Sequence, residues 1–212
     1  MGVEWRITGA ITMRIYTRSG DKGETSLYTG VRVPKNDPHI VAVGDVDECN
    51  SAIGLALSLL PENEALAEIK EQLIHVQHAL FDVGAAIATP RTSGETKKVE
   101  KTRFSEAAIK DLENWIDEMQ EKLPPLKQFI LPGGHPAGAA LHVARSLCRQ
   151  AERTVIPLKA THEVSDKVAI YLNRLSDYLF VVSRYVNLML NSEETPWKPY
   201  GTELHRVGTK GD

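Results

Sequence analysis

Val168-Ala169-Ile170-Tyr171-Leu172-Asn173-Arg174-Leu175-Ser176-Asp177-Tyr178-Leu179-Phe180-Val181-Val182 is the stretch whose spacing decides the fold. Val168, Leu172, Leu175, Leu179 and Val182 step alternately by four and three residues, and Val186 and Met189 continue the series. A strand would alternate every second residue. This spacing instead lines one face of a helix. The same stepping runs through Ile69, Leu73, Val76, Leu80, Val83 and Ile87, through Ile109, Leu112, Ile116, Met119 and Leu123, and through Leu141, Ala144, Cys148, Ala151 and Val155. A less regular stripe of Val46, Cys49, Ile53, Leu57 and Leu60 precedes them. Each stripe gives a helix one apolar seam, and such helices hide their seams against one another. The expectation is an all-α chain, an antiparallel five-helix bundle.

The breaks fall where such a bundle needs them. Pro38 follows Asp37, an N-cap residue type, and tolerates a first helical turn because it has no N–H to satisfy. Pro61 to Asn63 parts the first two helices, Pro124-Pro125 ends the third, and Pro132-Gly133-Gly134-His135-Pro136 turns the chain into the fourth. Thr89 to Arg103 is polar and charged, with Pro90 and Gly94, and reads as a mobile loop over residues 89–103.

Composition narrows the function classes. Of 212 residues 42% are hydrophobic and 25% charged, a globular balance compatible with one domain over residues 1–212. A formal charge of −3 gives no electrostatic reason to expect nucleic acid or an anionic membrane as partner. No apolar run approaches the roughly 18–20 residues of a membrane span. Residues 1–13 and 196–212 read as loose ends, and Met1–Thr12 resembles neither a signal peptide nor a basic, acid-free transit peptide. Cys49 and Cys148 form no CxxC pair and read as small reduced core residues. A cytoplasmic location is expected.

Three groups of residues carry possible chemistry. Ser19-Gly20-Asp21-Lys22-Gly23-Glu24-Thr25-Ser26 is not a P-loop, yet Gly20 and Gly23 allow backbone N–H groups to converge on an anion. Arg18, Lys22 and Lys35 bring charge to it, and a plain surface turn is the alternative. In the fourth helix Arg145, Arg149 and Glu152 share one face, flanked by Arg153. They are either a solvated charged face or forks for phosphate or carboxylate oxygens. Asn173 and Asp177 stack on the fifth helix, and Asp45, Asp47, Glu48 and Asn50 form an acidic cluster on the first, available to an arginine of another helix or subunit. His75 and His78 share a face without metal-ligand spacing around them, so no protein metal site is expected.

Several blocks together resemble a known family. Tyr16-Thr17-Arg18-Ser19-Gly20-Asp21-Lys22-Gly23-Glu24-Thr25, Lys35-Asn36-Asp37, and Gly44-Asp45-Val46-Asp47-Glu48-Cys49-Asn50-Ser51 are similar to segments of PduO-type ATP:cob(I)alamin adenosyltransferases. So are Phe129-Ile130-Leu131-Pro132-Gly133-Gly134, Arg145 through Arg153, and Tyr171 through Tyr178, in the family's order. Ser19 stands where the family often has Thr or Asn, Gln150 where Arg is common, and Met1–Thr12 is extra.

The resemblance implies a homotrimer of five-helix bundles with active sites between subunits. Thr17, Arg18, Ser19, Gly20, Asp21, Lys22 and Gly23, with Thr25, Ser26 and Lys35, would wrap the triphosphate of ATP. Arg149, Glu152, Arg153 and Asn173 would hold ATP from the neighbouring bundle. Asp47 would pair with Arg145 across the interface near the corrin, and Phe129 would occupy the corrin's lower face. Arg149, Asn173, Arg145 and Phe129 are thereby the expected catalytic set. ATP and cobalamin are the implied substrates, Mg²⁺ the accompanying ion, and a cobalamin reductase and a cobalamin-dependent acceptor enzyme the possible protein partners. The readings set against adenosyl transfer are an escort that delivers adenosylcobalamin and a nucleotide-sensing bundle without chemistry.

Overall fold

The computed structural model describes residue 16 and residues 18–92 and 95–200. Residues 1–15, Thr17, Ser93, Gly94 and residues 201–212 lie outside the described residues, and with them the expected loose end over residues 1–13 and most of that over 196–212. Two short strands, β1 (Glu24–Ser26) and β2 (Arg32–Pro34), form an antiparallel hairpin with Thr25 opposite Val33. Six helices follow: α1 (Pro38–Leu59), α2 (Ala67–Ile87), α3 (Thr96–Lys101), α4 (Ala107–Gln120), α5 (Pro136–Ala160) and α6 (Asp166–Met189). Five are long and form the expected bundle. The sixth, α3, is a single short helix inside the stretch over residues 89–103 expected to be a mobile loop.

The seams read from spacing are the core. Ile69, Leu73, Val76, Leu80, Val83 and Ile87 of α2 are all buried, as are Val168, Leu172, Leu175, Leu179, Val182 and Val186 of α6. Fully burying one such side chain contributes about 1.5–3 kcal/mol, so these stripes dominate the stability of the bundle. In space α1 lies between α2 and α5, and α6 between α5 and α4. Small residues let α5 approach its neighbours closely, since Ala137, Gly138, Ala144, Cys148 and Ala151 face inward. The helix most deeply enclosed is α6, which also buries Tyr171, Tyr178, Ser183, Arg184 and Asn187.

Caps set the helix starts. Asp37 accepts a hydrogen bond from His39 N–H at 2.9 Å, with Pro38 in the first turn of α1. His135 caps α5 ahead of Pro136, and Ser165 caps α6. The third long helix stops at Gln120, four residues before Pro124. Both cysteines are free and buried. The Cys148 thiol donates to the Leu172 carbonyl and the Cys49 thiol to the Ala144 carbonyl, and the neighbouring Cys49 together with burial holds Cys148 well above its ordinary pKa. That keeps it an unreactive core residue, as its sequence setting implied.

Candidate active site

The glycine-rich segment is a braced turn ahead of the hairpin. Gly23 has φ +82°, a region that side chains disfavour, and its N–H donates to the Gly20 carbonyl at 3.1 Å. Lys35 N–H donates to the Gly23 carbonyl at 2.9 Å, which brings the Lys35 side chain against Gly20. Arg32, which sequence reading passed over, donates to the Ser19 carbonyl at 2.9 Å and pairs with Glu24 at 3.4 Å. It holds the turn's shape from the opposite strand. The Arg18 guanidinium lies 5.6 Å over the Tyr16 ring. Asp21, Lys22, Ser26 and Lys35 are exposed and Thr25 is half-buried. The hairpin is seated on the end of α2 by Tyr28 N–H donating to the Ala88 carbonyl, and on α3 by Lys98 donating to the Thr29 carbonyl.

A second cluster lies on α5 and α6. Arg145 is half-buried, and burial first, then the positive charge of Arg149, lowers its pKa. Its Nε is buried without a hydrogen-bond partner. Among the described residues no ion pair joins Arg145, Arg149 or Arg153 to a carboxylate. Asn173 of α6 donates to Glu152 of α5 at 3.0 Å, so these two residues meet across helices on the same surface. Asp177, stacked one turn beyond, pairs instead with Arg174 at 3.2 Å.

The acidic cluster on α1 divides in two, a correction to its reading as one unit. Asp45 is buried and its carboxylate accepts from Gln150 at 2.9 Å and from Thr154. Asn50 exchanges side chain–backbone hydrogen bonds with Gln77 of α2. Both are consumed within the chain. Asp47 and Glu48 point outward, and no Asp47–Arg145 pair forms within the chain.

Phe129 is 79% exposed and so is not a core anchor for the Pro132-Gly133-Gly134 turn. Its ring meets Trp197 edge-on at 6.5 Å between centroids. Trp197 N–H donates to the Phe129 carbonyl and Leu131 N–H to the Thr195 carbonyl, each at 2.8 Å. The start of the expected loose tail is thus paired to the Phe129 segment. With Leu131 and Trp197 the ring makes an outward apolar patch.

Among the described residues no group of three or more His, Cys, Asp or Glu is arranged to hold a metal, and no helix is long and apolar enough to cross a membrane. No hydrogen bond joins the glycine segment to α5 or α6 among the described residues. The chain therefore presents a cationic turn and an arginine face as separate surfaces.

Comparison with known proteins gives these surfaces a context. The cobalamin adenosyltransferase family model matches residues 15–186. The chain is 46% identical over 193 residues to the corrinoid adenosyltransferase MMAB of Mus musculus, covering 91% of this chain and 81% of that protein. It is 42% identical over 191 residues to the corrinoid adenosyltransferase of Mycobacterium leprae, covering 89% of this chain and 97% of that one. A phenylalanine-to-alanine variant of a PduO-type ATP:corrinoid adenosyltransferase from Lactobacillus reuteri, complexed with cobalamin and ATP, superposes with a TM-score of 0.79 at 36% identity. That superposition covers 88% of this chain and 100% of that one. The match runs through the glycine segment, the bundle and the arginine face alike, and the chain belongs to the cobalamin adenosyltransferase family.

Proposed function

We propose that the chain transfers the 5′-deoxyadenosyl group of ATP to the cobalt of cob(I)alamin, forming adenosylcobalamin and releasing triphosphate. The observation that carries this reading is the arginine face of α5, where burial and the neighbouring Arg149 disfavour the charge on Arg145 and, among the described residues, no carboxylate pairs with either arginine. Such a face wants an anion, and guanidinium forks match phosphate oxygens. The Lactobacillus reuteri relatives, complexed with cobalamin and ATP or with ATP, fit that demand.

In the transfer, the cobalt electron pair of cob(I)alamin attacks C5′, the C5′–O bond breaks, and its electrons leave with the triphosphate. No proton moves, so the step asks for alignment and charge stabilisation rather than a general base. Thr17, Arg18, Ser19, Gly20, Asp21, Lys22 and Gly23, with Thr25, Ser26 and Lys35, wrap the triphosphate. Lys22, Lys35 and Arg149 answer the charge that grows on it as the bond breaks. Glu152, Arg153 and Asn173 hold the nucleotide from the α5–α6 side. Mg²⁺ would enter with the nucleotide beside Lys22, Lys35 and Arg149 and would supply further charge neutralisation. Phe129 lies under the corrin, denies cobalt a lower nitrogen ligand, and so lowers the orbital that accepts an electron to make Co(I).

The glycine segment and the arginine face belong to one site contributed by two subunits of a homotrimer, with Asp47 of one meeting Arg145 of the next. Two observations support this: among the described residues no hydrogen bond joins the hairpin strands to α5 or α6, and Asp47 is exposed while the Arg145 Nε is buried without a hydrogen-bond partner. The test is to mix protein, MgATP and chemically reduced cobalamin in the dark. A light-sensitive adenosylcobalamin spectrum with stoichiometric triphosphate is expected. An unchanged cob(I)alamin spectrum, or release of ADP and phosphate, would overturn the reading.

A further inference from the structure

Phe129 sits on a segment that hydrophobic packing does not hold. Leu126 and Leu131 beside it are exposed, and residues 121–135 have no helix and only one bridge, between Ile130 and Pro196. What fixes the segment is polar and comes from one face of α6. Asn187, 1% exposed, accepts from His135 N–H at 3.0 Å and donates to the Gly133 carbonyl at 3.2 Å. Three residues earlier, Arg184 donates through Nε to the Glu194 carboxylate at 2.9 Å and through Nη2 to the Pro124 carbonyl at 3.1 Å. Glu194 leads directly into Thr195–Trp197, the backbone that pairs with Phe129 and Leu131. Both sides of that pairing are tied to the last turns of α6.

The space for Asn187 is made by two glycines. A Cβ on Gly134, which has φ +95°, or on Gly138 in the first turn of α5 would collide with the Asn187 amide. An amide carries a donor and an acceptor in one plane, so it satisfies both His135 N–H and the Gly133 carbonyl. An apolar side chain of similar size would leave both without their partner.

We propose that Asn187 is a positioning residue for Phe129: by clamping Gly133 to His135 in the glycine notch, it fixes where the Phe129 ring is presented. The inference rests on the reading of Phe129 as the residue beneath the corrin. Asn187 touches no substrate and acts only through the segment it holds.

The experiment compares Asn187→Ala, Gly138→Ala, Phe129→Ala and the Asn187→Ala/Phe129→Ala double variant, each as purified folded protein. Electron paramagnetic resonance of Co(II)alamin with enzyme and MgATP reports the fraction lacking axial nitrogen splitting. Nucleotide binding is measured without cobalamin. Asn187→Ala should lose most of the nitrogen-free population and about 10²-fold in turnover, the scale of an ångström's misplacement near reacting atoms. ATP affinity should stay near wild type. Gly138→Ala leaves the amide intact but pushes it aside, so it should show the same spectroscopic loss, and it carries the test if Asn187→Ala fails to fold. The double variant should be no worse than Phe129→Ala alone. A wild-type nitrogen-free signal in a folded Asn187 or Gly138 variant, or losses that multiply in the double variant, overturns the positioning role. A wild-type signal in Phe129→Ala instead overturns the reading of Phe129 on which it rests.

Discussion

Arg145 and Arg149 stand one turn apart on α5, and the charge of Arg149 adds to the burial that makes Arg145 harder to keep charged. Burial strips hydration from the Arg145 guanidinium and Arg149 repels it, so both effects favour the neutral form. An anion bound against this face relieves both. If that anion is the departing triphosphate, Arg149→Ala should lower turnover by roughly 10²-fold or more, the effect of removing one preorganised donor. Steady-state kinetics check this, and near wild-type turnover with an unchanged ATP KM would contradict it. One turn earlier, His142 is buried with Ser183 on Nε2 and no partner on Nδ1. Burial, then Arg145, lower its pKa below 6.5, while Glu194 opposes them. The unfolded chain therefore takes up a proton more readily than the fold does. Stability conferred by neutral His142 is complete above pH 6.5 and is lost as pH falls toward the lower folded-state value. Thermal midpoints measured from about pH 7.5 to about pH 5.5 should decline, and His142→Gln should make the decline shallower. An identical slope in the variant would show that another group is responsible.

At the scale of elements, α1 and α5 are joined by polar ties as well as by their seam. Asp45 reaches across to Gln150 and Thr154, whereas Asp47, two residues on, faces outward. Asp45→Ala should thus cost about 1–3 kcal/mol, since it leaves buried donors unmet. Asp47→Ala should change monomer stability by no more than about 0.5 kcal/mol and lower activity instead. Urea unfolding beside turnover assays separates the two, and equal destabilisation would contradict the division. The helices themselves were readable because a repeated seam sums over many residues, so the stripes of α2, α4, α5 and α6 were found nearly residue for residue. The three-residue strands β1 and β2 and the six-residue α3 carry too few positions for any period to show. Asp45 and Asp47 looked alike because their difference depends on which side chains α5 sets opposite them. Asn187 could not be recognised from the seam, because its role exists only where Gly134 and Gly138 leave it room.

For the whole molecule, the separation of its two cationic surfaces is the defining feature. The hairpin is fastened to α2 and α3, while Arg149, Glu152 and Asn173 lie on the α5–α6 side. The blocks that resemble the family's nucleotide-binding residues were legible in order along the chain. On the proposed reading they lie on opposite sides of an interface, which spacing does not reveal because it depends on how copies meet. The proposed head-to-tail ring would place the hairpin of each subunit against the α5–α6 face of the next. The most direct measurement mixes Lys22→Ala, defective on the hairpin, with Asn173→Ala, defective on the helical face, after dissociation and reassembly. Each variant alone should be nearly inactive. In an equal mixture roughly a quarter of interfaces pair an intact hairpin with an intact face, so activity should return to that order. No recovery in verified mixed oligomers would mean that each site lies within a single chain, and would contradict the account.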